Sequence, residues 1–424
     1  NLLQNADGNG MIKVITGIRR CGKSFLLFNL FRKRLIEKGV HEDHIIQVNL
    51  EDRRNKRLRN PDVLLQHIDN MMTDTDKYYI LLDEVQLVNE FEDVLNSYLS
   101  VPNAEVYVTG SNAQFLSKNI ITEFRGRGWE IHIHPLSFAE YYEVVGGEKA
   151  EALEQYYKYG GLPAVAGLER AEDKQHYLRE IFETVYLKDV IDRNHLKNAD
   201  GLRELVRILA SIIGSSTNVR RIANTFKTAA GIDITPATIT KYIECLQDAF
   251  IISEALRYDV KGRKYIGTET KYYFEDVGIR NAIVDFRQLE PTHIMENVVY
   301  NELRRNGFSV DVGQVESFKR DDQGHLKRRN LEIDFVVNRH DERLYIQSAY
   351  ALPSQEKMDQ EQASLLHVKD GFQKVIVAGD RYISGYNENG ILVESLYDFL
   401  LGKQKLWRRL ITVQELSVPS ARWW

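Results

Sequence analysis

Cysteine is nearly missing from this chain: Cys21 and Cys245 are its only two. One lies in a glycine-bearing loop and the other in a helical stretch. A structural disulfide is therefore not expected, and a reducing, cytoplasmic setting fits. Clusters of Cys and His at metal-ligand spacing are absent as well. No apolar run reaches the length of a membrane helix, so no membrane partner is expected. No secretory leader is legible, and because the chain begins at Asn1 its native N-terminus is left open. Positive charge is not in excess either. Lys and Arg number 56 against 61 Asp and Glu, a formal net charge of -5. No global positive field recruits nucleic acid, so DNA or RNA would need a local patch.

What is present is an ordinary globular composition, 43% hydrophobic and 28% charged, over 424 residues. That length holds about two to four domains. The most specific stretch is Gly17-Ile18-Arg19-Arg20-Cys21-Gly22-Lys23-Ser24, with Phe25 after it. It fits the phosphate-binding loop pattern G-x-x-x-x-G-K-[ST]. Its glycines let backbone N–H groups curl around phosphate oxygens. Lys23 has the reach for β- and γ-phosphates, and the Ser24 hydroxyl suits Mg²⁺. Residues 11–16 (MIKVIT) read as a strand, and residues 24–38 carry apolar side chains at helical spacing. Strand, loop and helix are the context the pattern requires. The positive end of the helix dipole then faces the phosphates.

Three further segments point to hydrolysis of ATP. Residues 78–82 (YYILL) read as a buried parallel strand ending in Asp83-Glu84. Asp83 is placed to bind Mg²⁺, directly or through water, and Glu84 to polarise the attacking water. Residues 104–109 form another β-rich run, with Gly110-Ser111-Asn112 beyond it. Asn112 or Ser111 is the candidate for sensing the γ-phosphate, with plain turn chemistry as the alternative. Residues 45–50 (IIQVNL) read as a further core strand. Arg125 and Arg127 flank Gly126 in a loop before another strand. Either guanidinium suits phosphate charge, in cis or in trans, and a solvent-facing basic loop is the alternative. Action in trans would require an oligomer.

The strings VITGIRRCGKS, LLDEVQ (81–86), VTGSN (108–112), RGR (125–127) and PLSFAEY (135–141) together resemble one group. It is the prokaryotic AAA-type P-loop ATPases that carry a C-terminal domain of unknown function. YGGLPAV (159–165) and KDVIDRN (188–194) extend the resemblance, as does the distal chain, so it covers nearly the whole length. It implies an AAA-type α/β domain that binds ATP, a helical lid, a winged helix and a C-terminal nuclease-like fold. It implies no particular biological role.

The middle of the chain reads as helices over 202–213, 219–228 and from Thr235-Pro236 to about Leu246. A glycine turn separates the last two, as a helix-turn-helix requires, and residues 265–274 are the expected wing. Thr238, Thr240 and Lys241 would face a DNA groove, a thin supply of charge. Arg220, Arg221, Lys227, Lys261, Arg263 and Lys264 could add a patch; docking of a protein partner is the alternative. Further on, Glu296 on a helix, Asp334 on a strand and an E-x-K on the next strand would make a restriction-endonuclease-like metal site. Here the third element reads Gln347-Ser348-Ala349. Glutamine is a weak neutral ligand and alanine carries no charge, so a fold retained without cleavage is expected.

The expected architecture is α/β throughout. A P-loop AAA-type parallel-sheet domain spans 1–143 and a helical linker or lid spans 144–200. A winged-helix segment spans 201–288, an inactive restriction-endonuclease-like domain 289–402, and a tail 403–424. The expected function is Mg²⁺-dependent ATP hydrolysis that couples nucleotide state to the two distal modules, acting on nucleic acid. A nucleotide-dependent protein-binding switch with little turnover, or a metal-dependent nuclease, stand as alternatives.

Overall fold

The computed structural model describes residues 2–110, 124, 126–196, 198–320, 325–339, 342–379 and 383–402. Ser111, Asn112, Arg125 and the tail lie outside these described residues. The chain forms two units. One holds residues up to Pro135 together with Glu244–Ile251, and the other holds Leu136–Ile243 and continues from Ile252.

In the first unit, five strands lie in the order β2-β3-β4-β1-β5 and every pairing is parallel. They are β1 (Ile12–Thr16), β2 (Ile45–Asn49), β3 (Tyr78–Asp83), β4 (Ala104–Thr109) and β5 (Gly128–His132). β1 and β3 are buried along their whole length, as strands of a doubly covered sheet must be, and the one charge in β1, Lys13, is paired with Glu105 of β4. Alternate side chains feed two cores. Ile12, Val14, Ile80, Leu82, Val106 and Val108 face one, against Leu64, Ile68, Leu95 and Tyr98 of two flanking helices. Ile15, Leu81, Tyr107 and Ile131 face the other, where Leu27, Phe31 and Leu35 meet them. Those three recur every four residues along the helix after the P-loop, which is why one stripe of it is buried.

The second unit carries an eight-stranded mixed sheet. Its strands are β6 (Ile252–Asp259), β7 (Lys264–Phe274), β8 (Ser309–Arg320), β9 (Leu326–Arg339), β10 (Glu342–Ala349), β11 (Gln373–Ala378), β12 (Gly385–Tyr386) and β13 (Leu392–Ser395). Their order is β12-β13-β11-β10-β9-β8-β6-β7. The expected wing, β7, is therefore not a separate ribbon. β6 pairs in parallel with β8 from Arg257↔Val312 to Asp259↔Gln314, which merges the hairpin with the distal sheet. β8 and β9 stay paired out to Arg320↔Leu326.

The YGGLP tract has a packing explanation. Asp276 caps the helix Val277–Ile283 through the Ile279 N–H, and its other oxygen accepts the Gly161 N–H at 2.7 Å. A Cβ at Gly161 would stand 2.2 Å from the Leu136 carbonyl oxygen. Burial pushes the Asp276 carboxyl up to about 6.

Glu394 on β13 is fully buried, and neither carboxyl oxygen has a hydrogen-bond partner among the described residues. Burial, reinforced by Asp398, pushes its pKa from 4.5 up to about 8. A raised carboxyl pKa means the folded chain binds more protons than the unfolded one between those values. Stability is then present at low pH and lost as pH rises through that window. Glu394→Gln should leave stability unchanged near about pH 4 and raise it by on the order of 1–3 kcal/mol near about pH 9. Urea unfolding at both pH values checks this; an equal effect at the two would remove the titration from the account.

Candidate nucleotide site

The order β3-β4-β1 brings three C-terminal strand ends side by side, and the residues at and just past those ends build the site. β1 ends at Thr16. Gly17 then takes φ 136°, and a Cβ there would lie 2.0 Å from the Ile133 carbonyl oxygen, so only glycine fits. Arg20 (φ 65°) and Gly22 (φ 106°) also adopt positive φ. Interruption of right-handed by left-handed residues is how successive N–H groups converge on an anion. Cys21 is buried, and its thiol donates to the Ile133 carbonyl. Arg19 stands 3.8 Å from Glu51. Ile18 is buried and Phe25 exposed.

The helix starting at Lys23 runs to residue 37, with i→i+5 pairing over Leu26–Phe31. Lys23 is buried, and its ammonium donates to the Gly17 and Ile18 carbonyls at 2.9 and 3.1 Å. It thus arches over the loop from which it springs.

Ser24 Oγ donates to Asp83 Oδ1 at 2.9 Å, which joins the P-loop helix to the end of β3. Thr109, last residue of β4, donates to the same oxygen at 2.5 Å. The Glu84 N–H donates back to Thr109 Oγ1 at 3.0 Å. Glu84 itself is left-handed (φ 55°), so the chain turns sharply there, and Gln86 Nε2 donates to its carboxylate. Burial holds the Asp83 carboxyl above its ordinary range, against the Thr109 and Ser24 hydrogen bonds. A hydroxyl and a carboxylate in contact are oxygen donors of the kind a hard cation takes, so Ser24 and Asp83 fit Mg²⁺.

The P-loop residues, Asp83 and Glu84 are therefore brought together as the sequence predicts. Thr109 and Gln86 join them without any signal in the sequence that singles them out. Arg127 is not brought to this edge. Its carbonyl accepts the Ile12 N–H, at the start of β1, with about 13 Å of strand between it and the loop.

A second cluster gathers in the other unit. Glu296, on the helix Pro291–Arg305, and Asp334, on β9, lie together as the spacing predicts. Three further residues, Lys271, Glu332 and Tyr273, join them. Lys271 Nζ, from β7, is 2.9 Å from Glu296 Oε1, 2.7 Å from Glu332 Oε1 and 4.0 Å from Asp334 Oδ1. Tyr273 donates to Glu296 Oε1 at 2.7 Å. Asp334 Oδ2 accepts the Ser348 N–H at 2.8 Å. Gln347 Oε1 accepts from the Asp334 N–H and from Ser364, both at 3.4 Å. Ala349 is buried in an apolar core with Ile376 and Val393. Burial, then Glu296, pushes Asp334 up to about 8. The Thr240 hydroxyl is turned back onto the Pro236 carbonyl and Arg221 stands 3.7 Å from Glu269, which thins the expected groove-facing surface further.

Known proteins bear on both units. Residues 9–142 match the AAA domain family, and residues 150–290 match a domain of unknown function. An uncharacterized protein of Haemophilus influenzae is 33% identical over 94% of this chain and 96% of its own length. An uncharacterized protein of Methanocaldococcus jannaschii is 28% identical, over 85% of this chain and 79% of its own. Among solved structures, a Walker-type ATPase of Pyrococcus abyssi aligns at a TM-score of 0.45 and 16% identity, over 66% of this chain and 93% of that one.

Proposed function

The chain belongs to the family of the Haemophilus influenzae protein, and from its AAA domain and nucleotide-site geometry we propose that it binds ATP with Mg²⁺ and hydrolyses it. One observation carries the reading: the Ser24, Asp83, Thr109 and Glu84 hydrogen-bond chain at the P-loop edge of the sheet. The loop N–H groups and the helix N-terminus cradle the phosphates. Lys23 leaves the Gly17 and Ile18 carbonyls for the β- and γ-phosphates. Ser24 and Asp83 would hold Mg²⁺, which when bound would neutralise phosphate charge. Glu84 takes the proton of the attacking water. Arg127 stands beside the start of β1, at the opposite end of the strand from the P-loop, which favours delivery from a second copy of the chain.

Nucleotide state is proposed to govern the second unit, and the helices Val219–Thr225 and Pro236–Asp248 are proposed to meet DNA, RNA or a protein. A binding switch with little turnover is the second reading, favoured by the way Gln86 holds the Glu84 carboxylate. The expected result is Mg²⁺-dependent release of phosphate from ATP, abolished by chelation and restored by added Mg²⁺. Bound but uncleaved ATP in a single-turnover assay would select the switch. Repeating the assay with DNA or RNA at two salt concentrations tests the partner, because stimulation through phosphate contacts fades with salt.

A further inference from the structure

We infer that the carboxylate cluster of Glu296, Glu332 and Asp334 is filled by the chain's own ammonium, Lys271, and takes no divalent metal. The cation sits where a metal would have to sit. Its Nζ is in contact with two carboxylates from different elements and 4.0 Å from the third. Lys271 is almost wholly buried, at 3% exposure, so it cannot trade these partners for water. A metal in the same space would meet a positive charge at contact distance, and that repulsion is large in a low-dielectric interior.

The ligand set points the same way. Tyr273 lies two residues along β7, on the same face as Lys271, and its hydroxyl donates to the same Glu296 oxygen. Asp334 Oδ2 and Gln347 Oε1 are engaged by the protein's own donors. The strand position that would supply a catalytic lysine, Ala349, faces an apolar core instead. The positive charge therefore comes from β7, outside the three elements that make up the metal-site pattern. Its effect is to tie the β6–β7 hairpin to the helix Pro291–Arg305 and to β9, whereas a metal would have left the hairpin uninvolved.

Removing the ammonium leaves three carboxylates around a cation-sized space, so Lys271→Met should create a divalent site that the natural chain lacks. Mn²⁺ binding to the nucleotide-free full chain, measured by electron paramagnetic resonance, reads this directly. In the unaltered chain, Asp334→Asn should leave Mn²⁺ binding unchanged. In Lys271→Met, Mn²⁺ binding should tighten by at least about tenfold and be lost again when Asp334→Asn is added. Lys271→Met/Glu332→Gln, which removes one charge of each sign, is measured alongside in case the single variant does not melt cooperatively. It should gain Mn²⁺ too. An ion held by the unaltered chain and lost in Asp334→Asn overturns the inference. So does either Lys271 variant that melts cooperatively yet gains no Mn²⁺. The unaltered-chain comparison decides the matter even where neither variant folds.

Discussion

Lys23→Ala protein will fold and will bind ATP at least about 10²-fold more weakly than the unaltered chain. The affinity loss comes from what the ammonium is placed to do. A charge-assisted hydrogen bond is worth about 1.5–3 kcal/mol, and Lys23 is positioned to make one to each of two phosphates. The fold should survive because the groups Lys23 now serves are the Gly17 and Ile18 carbonyls of a loop. Loop carbonyls can turn to water, whereas Leu27, Phe31 and Leu35 keep the helix seated without it. Lys23→Arg should fail as well, since a planar guanidinium is not a compact point charge and the site is tight around it. Titration with a fluorescent nucleotide, alongside thermal melting, separates affinity from folding. Binding within about threefold of the unaltered chain would mean that the loop is not the nucleotide site.

The two units are legible in the sequence to different degrees, for physical reasons. β3 can be read because a strand buried on both faces leaves an apolar run, and β1 and β4 because they are rich in β-branched residues, although each hides one charge of the Lys13–Glu105 pair. The P-loop can be read because its glycines are dictated by stereochemistry within eight residues: a Cβ at Gly17 has nowhere to go. Asp83-Glu84 can be read from its place after an apolar run. Thr109 cannot, since a threonine at a strand end looks like turn chemistry until Asp83, 26 residues away, is set beside it. The hairpin of β6 and β7 reads as a separate winged module for the same reason. Its junction with β8 is a pairing between Arg257 and Val312, and nothing local marks it. That Gln347-Ser348-Ala349 carries no E-x-K is visible in the sequence. That Lys271 stands beside Glu296, Glu332 and Asp334 from another strand is not.

Glu84→Gln should keep ATP bound and slow its hydrolysis by about 10²–10⁴-fold, the range a positioned general base contributes. The substitution suits the site because it changes one property. A glutamine at this left-handed turn keeps its backbone N–H on Thr109 and still offers an oxygen to Gln86 Nε2. It cannot accept a proton from water. Shape and hydrogen bonding are preserved, so the nucleotide affinity that rests on Lys23, Ser24 and the loop should not fall. Single-turnover hydrolysis measured at saturating ATP isolates the chemical step from binding. Together with Lys23→Ala it forms a pair with opposite signatures: one loses the complex, the other accumulates it. Unchanged turnover in Glu84→Gln would take the base role from Glu84. The geometry would then point to a substrate-assisted step, with Thr109 doing no more than holding Asp83 in place. Loss of binding in both variants would mean instead that Glu84 holds the loop open through its turn, and that its contribution precedes the chemistry.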